Sequence, residues 1–470
     1  MRTVHKSLLW MAGGLCVAVV VASAFSKQTA QAGPPQASST SASDTASRST
    51  PASVERGKYL VAMGDCVACH THKGGKPFAG GRPLQTPFGT VLSANLTPDA
   101  QTGIGRYTAD TFYRAMSQGV DDDEHHLYPA FPYNYYTKIT RDDSDAMFAY
   151  LRTLPPVSHA LDRNRLPFPF NIRAVMVVWN WMFLDKGTYQ PDTTKSAEWN
   201  RGAYLVEGLA HCAACHTPKN ILGGNKSSEP FYGGRFGEWF APDITPNQRV
   251  GIGSWKPDEL FAFLHEGHNV HSAASGEMGE VVGYSTSQMT RADLAAVITY
   301  LGDVKASPVE KVAPPDTAVM HQGEAIWRDQ CIACHAANAK GVPLYFPPLM
   351  ANANLQQRNP TTVIHYILEG ASKIATDQAP TQLAMPAFNW KLDDQQVAAV
   401  ATYARNSFGN TASAVTAMQV ADLRKKLKPI ANTTGATTPA LITHPGPGTL
   451  TSAGTSSTDN GTPQAGREVK

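Results

Sequence analysis

Charge is scarce in this chain, and neither sign is in excess. Of 470 residues, 40 are Lys or Arg and 38 are Asp or Glu, a formal net charge of +2. With no long Lys/Arg run, there is no electrostatic reason to expect nucleic acid as a partner. Glycine fingerprints for phosphate or dinucleotide binding are missing. No Ser/His/Asp constellation or carboxylate pair suggests independent catalysis. Long apolar runs are confined to the N-terminus, where Leu8 to Phe25 is just long enough to cross a bilayer. Cysteine is sparse: seven residues, of which Cys16 lies in that apolar run. The other six form three pairs of identical spacing, a pattern that a disulfide framework does not explain.

The length suggests about three domains. The start reads as an export signal: Arg2, His5 and Lys6 precede the apolar run, and small-residue sites follow at Ala22/Ala24 and Ala30/Ala32. Residues 1–32 are therefore expected to be a cleaved signal peptide or, if retained, an N-terminal anchor, and the remainder to lie outside the cytoplasm. Residues 33–53 are rich in Ser, Thr, Ala and Pro and suit a flexible linker. At the other end, 411–470 has helix-like content near Ala421 to Lys428 and then becomes a low-complexity tail, expected to be disordered or draped over a partner.

The three pairs are Cys66/Cys69, Cys212/Cys215 and Cys331/Cys334, and each is followed directly by a histidine, His70, His216 and His335. Two thiols at this spacing share one helical turn and can add across the vinyl groups of a haem, while the next residue aims an imidazole at the iron. A zinc site or a thiol-redox pair has no need of that His three times over. Three covalently attached haem c groups are the expected cofactors.

The surroundings of the motifs repeat as well. Arg56-Gly-Lys-Tyr59 precedes the first and Arg201-Gly-Ala-Tyr204 the second, with a looser match at Gly323-Glu-Ala-Ile326 before the third. After the first two come Gly80-Gly-Arg82 and Gly233-Gly-Arg235, then Asn95-Leu-Thr-Pro98 and Asp243-Ile-Thr-Pro246, which fit tight loops around a haem edge. Thr140-Arg-Asp-Asp143 and Thr290-Arg-Ala-Asp293 read as helix starts, and a third closing helix is expected from Asp393 to Phe408. The pattern resembles the class I cytochrome c fold, in which a glycine of the first helix admits an aromatic of the last. Gly57, Gly202 and Gly323 would take that part. The expected architecture is all-α, three tandem domains of that class with long haem-edge loops, at 54–160, 198–305 and 316–410.

A distal thioether would raise a haem's potential and close its iron to other ligands. Met385, in Ala384-Met-Pro-Ala387, stands where small cytochrome c domains carry that ligand. Met278 is the candidate in the second domain, with Met289 as a weaker rival. The first domain has Phe131 at the corresponding place, and Phe cannot ligate iron. Met116 is the first substitute, His126 (beside His125, either giving bis-His ligation) the second, and an open iron the third.

Between the first two domains, an apolar connector over 161–197 contains Trp179, Trp181 and Phe183. It suits a membrane interface, a subunit contact, or a helix packed between domains. Residues 54–410 resemble the three-haem cytochrome c subunits of membrane-bound periplasmic dehydrogenases of acetic acid bacteria. That resemblance implies a large dehydrogenase subunit of molybdopterin, PQQ or flavin type as partner, a small subunit, ubiquinone as acceptor, and the periplasmic side of the cell membrane as location. Tyr128-Pro-Ala-Phe-Pro-Tyr133 and Leu166-Pro-Phe-Pro-Phe-Asn171 look most like the branch serving molybdenum hydroxylases, which points to an aldehyde dehydrogenase. Quinoprotein alcohol dehydrogenase and flavoprotein gluconate, sorbitol or fructose dehydrogenase are the alternatives. A haem peroxidase, using an open first iron, and a free soluble electron shuttle are alternatives of a different class.

Overall fold

The computed structural model describes residues 50–427, apart from 344, 373–374, 377–379 and 381–383. The expected signal, most of the linker and the tail beyond Leu427 lie outside the described residues.

The first repeat opens with α1 (Pro51–Met63), started by the Thr50 hydroxyl on the Ser53 amide with Pro51 in the first turn. The one-turn helix α2 (Cys66–Cys69) and the hairpin β1 (Pro83–Thr86) and β2 (Gly89–Leu92) follow. Then come α3 (Ala109–Gln118), α4 (Tyr133–Tyr136) and α5 (Arg141–Leu151). The connector carries α6 (Val175–Phe183). The second repeat runs through α7 (Ala197–Ala203), a wider π-turn over Tyr204–Leu209, and α8 (Ala213–His216). It continues with β3 (Gly234–Phe236) and β4 (Trp239–Ala241), α9 (Pro257–Glu266), α10 (Gly276–Tyr284) and α11 (Arg291–Asp303). The third comprises α12 (Thr317–Gln330), α13 (Ile332–His335), α14 (Thr361–Glu369), the short pair β5 (Ala371–Ser372) and β6 (Ala384–Met385), α15 (Asp394–Asn406) and α16 (Ala417–Leu427). The described residues are thus mainly helical, with three small antiparallel hairpins.

In each repeat the first and last helices cross at a glycine. A methyl group on Gly57 would overlap the Ala146 carbonyl, one on Gly202 the Ala296 carbonyl and one on Gly323 the Ala399 carbonyl. The Cβ atoms of Tyr150, Tyr300 and Tyr403 lie close beside the same points. The glycines therefore set how near two helix backbones can come.

The first two repeats share one hydrophobic core. Leu60, Met63 and Leu151 of the first are buried in the same cluster as Leu205, Leu209 and Leu301 of the second. Each such side chain contributes roughly 1.5–3 kcal/mol by leaving water. A reciprocal polar joint registers the two halves. Asp143 starts α5 and takes Arg56 of its own repeat at 2.5 Å, but its other oxygen accepts from the Tyr204 hydroxyl of the second repeat at 2.6 Å. Conversely, Asp293 starts α11, takes Arg201 of its own repeat at 2.8 Å, and accepts from Tyr59 of the first repeat at 2.7 Å. Each tyrosine oxygen also accepts from the partner helix's cap residue, Thr140 N–H at 3.2 Å and Thr290 N–H at 2.9 Å. Both tyrosines thus reach across to complete the other repeat's helix cap.

Gln322, Ala325 and Gln396 occupy the corresponding positions in the third repeat, which cannot make this joint. Its core is separate, built on Trp327, Ile364, Leu368, Val397 and Val400. Val420 and Leu423 of α16 belong to that core, so the chain as far as Leu427 packs on the third repeat. Fully buried Arg405 donates to the Leu355 and Gln357 carbonyls at 2.8 and 2.9 Å, and burial pushes its guanidinium down to about 10. The Gln357 side chain in turn accepts from Asp243 N–H at 3.0 Å and donates to the Val250 carbonyl at 2.6 Å, tying the third repeat to the second.

In α6, Met176 and Trp179 pack inward beside Tyr133, and the Trp179 indole donates to the Leu222 carbonyl at 2.9 Å. Val177, Val178, Trp181 and Met182 are exposed, Trp181 by 85%. The connector helix is therefore packed on one face and bare on the other. Among the described residues no helix is long and apolar enough to cross a membrane.

Tyr204→Phe, which leaves Asp143 Oδ2 without its donor, is expected to lower unfolding free energy by about 1–3 kcal/mol in denaturant titration, and Tyr59→Phe by less, because Asp293 Oδ2 keeps Arg201 at 2.9 Å. Burial would raise the Asp293 carboxyl, but hydrogen bonds from Arg201 and Tyr59 outweigh it and hold it below the ordinary range. A depressed carboxyl contributes stability above its unfolded value of ~3.9 and loses it as pH falls through the folded value. Asp293→Asn should therefore flatten the acid limb of the stability profile below about pH 4.

Candidate functional site

The same backbone bond closes all three Cys–His turns. His70 N–H donates to the Cys66 carbonyl at 2.9 Å, His216 to Cys212 at 3.0 Å and His335 to Cys331 at 3.0 Å. The imidazole therefore projects from the turn that carries both sulfurs. His70 Nδ1 lies 2.7 Å from the Ala94 carbonyl and His216 Nδ1 2.7 Å from the Pro242 carbonyl. A carbonyl only accepts, so Nδ1 carries the proton and the Nε2 lone pair is left for a metal. His335 faces the Pro347 carbonyl in the same role, but its buried Nδ1 lacks a close partner. Burial pushes all three imidazoles below their ordinary value, with the carbonyls opposing. Burial thus favours the neutral imidazole, the form that can bind a metal.

All six cysteines in the described residues are unpaired. Burial pushes the Cys66, Cys212 and Cys215 thiols up to about 12 and Cys331 to about 11. A disulfide-exchange site needs the opposite, a stabilised thiolate. Nor does any group of three or more His, Cys, Asp or Glu side chains converge on a common point among the described residues. Two sulfurs and an imidazole on one turn, without convergence, fit attachment to the edge and iron of a porphyrin.

The first attachment turn lies against the second repeat, where α2 packs on α10. The Cys69 thiol is within electrostatic reach of Cys215, and Glu277 at the start of α10 acts on both. Arg82 straps this joint: it donates to the Ala68 carbonyl of the first turn at 2.7 Å and to Glu280 and Glu277 of the second repeat at 2.5 and 3.3 Å. Its sequence counterpart, Arg235, is exposed. The Gly-Gly-Arg repetition signalled the loop and gave no sign of this cross-repeat contact.

On the distal sides, Met116 is buried on α3 within the shared core. His125 is largely exposed beside Asp121, whereas His126 has a buried Nδ1 with no hydrogen-bond partner. Of the two histidines, only His126 offers an inward nitrogen. Phe131 is taken up in aromatic contacts with Tyr133 and Tyr136. Met278 sits in the first turn of α10, next to the Glu277 that acts on Cys215, and is partly buried against the shared core. Met289 is buried in that core just before α11. Met385, on β6, pairs with Ala371, and its carbonyl lies against Gly370.

The sequence profile of the cytochrome c family matches residues 54–155, 200–305 and 320–407. A nicotinate dehydrogenase component of Pseudomonas putida is 40% identical over 366 residues, 76% of this chain, although the chain spans only 30% of that protein's length. The gluconate 2-dehydrogenase cytochrome c subunit of Pantoea cypripedii is 38% identical, over 79% of this chain and 89% of that one. The fructose dehydrogenase cytochrome subunit of Gluconobacter japonicus is 36% identical, over 79% and 82%.

Replacing both Cys331 and Cys334 with Ser is expected to reduce covalent haem from three groups to two per chain. Intact mass and the pyridine haemochrome assay would read the loss, and the shared core of the first two repeats predicts that their two haems remain.

Proposed function

Because the chain belongs to the cytochrome c family and holds three haem c groups covalently, we propose that it is the electron-transfer subunit of an exported, quinone-linked dehydrogenase. The observation that carries this is the set of three Cys–His turns of one geometry in a single chain. Bound haem c supplies a one-electron couple at each turn. The protein's part is to fix each group by two thioethers and to supply a proximal imidazole, held in one tautomer by a backbone carbonyl at His70 and His216.

Met385 and Met278 are the distal ligands of the third and second sites in this reading. Met116 and His126 are the candidates for the first. The catalytic partner is a molybdopterin-type aldehyde dehydrogenase with a small iron–sulfur subunit. The Phe131 segment supports that branch, and so does the similarity to the nicotinate dehydrogenase component. The near full-length match to the gluconate and fructose dehydrogenase subunits supports a flavoprotein partner as the second reading. Electrons leave for ubiquinone at the periplasmic face of the cell membrane. The bare side of α6 supports membrane contact. Ile221 and Leu222, on the loop that Trp179 touches, add exposed apolar surface nearby, at 92% and 46%. Arg163, Arg165 and Lys186 on the flanking chain are exposed and suit anionic headgroups.

Met385→Ala and Met278→Ala should each abolish the long-wavelength Met–iron charge-transfer band of one oxidised haem and lower its potential, leaving covalent haem at three per chain. In the isolated complex, aldehyde should reduce the haems only when a molybdenum subunit and an iron–sulfur subunit copurify. A quinoprotein or flavoprotein large subunit would reassign the partner. Hydrogen peroxide turnover by the chain alone, or its recovery as a lone monomer without detergent, would sink the reading. Val178→Glu with Trp181→Glu should release the complex from membranes at unchanged haem content.

A further inference from the structure

The joints between the repeats differ in kind. The first attachment turn meets the second repeat through Arg82 and α10, whereas aromatic side chains meet where the second repeat joins the third. Trp239 lies on β4, three residues before Pro242, whose carbonyl orients His216. Its indole stacks on His365 of α14 with ring centroids 3.7 Å apart and planes 15° apart, and meets Tyr366 edge-on at 5.4 Å. His365 is buried, and its Nδ1 lies 2.9 Å from the Glu238 carbonyl, which fixes the ring against the indole.

The same residues touch the distal side of the second site. Gly276, at the start of the Met278 helix, has φ +57°, and a Cβ there would come within 2.8 Å of the Trp239 ring. Ser275, just before it, donates to the Tyr366 hydroxyl at 2.8 Å. From His365 the path continues down α14 to Gly370, which abuts the Met385 carbonyl, and to Ala371, which pairs with Met385. The β4 backbone is clamped to α14 by the Thr362 hydroxyl, which accepts from Phe240 N–H at 2.8 Å and donates to the Phe240 carbonyl at 2.9 Å. In the first repeat, Val91 stands three residues before Ala94, the matching carbonyl, so the indole occurs only where the chain must join a third repeat.

We propose that the stacked Trp239–His365 pair is the electronic bridge between the second and third haem sites, with Tyr366 as its buttress. One electron leaves the second iron as Fe(II) becomes Fe(III), and arrives at the third as Fe(III) becomes Fe(II). The pair itself is neither oxidised nor reduced, and it lends delocalised orbitals to a gap that aliphatic side chains would couple less well. This rests on the reading of the chain as a three-haem electron carrier.

The test uses the full haem-loaded chain, with single-electron injection from a photoexcited ruthenium dye and optical detection of re-equilibration among the haems. Trp239→Leu is expected to slow one intraprotein phase several-fold while the three potentials and the haem spectra stay unchanged. Trp239→Phe should recover most of the rate. An unchanged rate in Trp239→Leu would overturn the bridge. So would a slowing accompanied by shifted potentials and shared equally by Trp239→Phe, since that marks a merely structural residue. Fewer than three covalent haems in the unmutated chain would instead overturn the functional reading on which the bridge rests.

Discussion

Two carboxylates organise the larger part of this molecule. The Asp143 side chain is only 3% exposed, and a charge so placed is tolerable only with several donors around it. It takes an arginine from its own repeat and a tyrosine from the neighbouring one, and Asp293 does the same in the other direction. The arginine, the crossing glycine and the tyrosine lie within one short stretch of α1, and their counterparts lie where α7 runs into the π-turn. The helix crossing inside each repeat and the packing between repeats are thus set by the same few residues. Once the crossing is fixed, α2 and α8 follow on the same chain within a few residues, and α2 comes to lie against α10 of the second repeat, where Arg82 joins the two.

The third repeat is held by other means. Its glycine crossing is intact, but it contributes neither arginine, tyrosine nor aspartate to a reciprocal joint. Instead Arg405, buried among carbonyls, stiffens the segment around Leu355 to Gln357, and Gln357 reaches the loop of the second site. The Trp239 stack lies beside this joint. A directional polar contact and an aromatic face together set orientation across an interface that has no shared apolar core.

The parts of the fold that were legible in the sequence are those whose constraint is local. Cys-x-x-Cys-His is a single turn, and its meaning does not depend on the rest of the chain. The glycines at the helix crossings could be read through the resemblance to the class I cytochrome c fold, and they hold that place because only a missing Cβ permits such an approach. Contacts exchanged between repeats were not legible. Tyr59 capping its own repeat's last helix and Tyr59 capping the neighbour's would leave the same letters in a self-similar sequence. Arg82 and Arg235 share a motif, yet one is a strap and the other is exposed, because only the first has α10 in front of it. The connector was ambiguous for a related reason: α6 has one packed and one bare face, while its apolar residues surround the whole helix. The first distal site was ambiguous because several candidate side chains approach it and sequence spacing does not order them.

The reciprocal caps also limit how such a chain can be rearranged in evolution. A genetic crossover between the first and second repeats would split one core and take from each of the two carboxylates its tyrosine donor, so neither product would inherit a competent half. A break after Asp303 would cut polar joints and one aromatic stack while leaving both cores whole. The heritable unit is therefore a pair of repeats plus a single, and gain or loss of a redox centre by recombination is easiest at the third position.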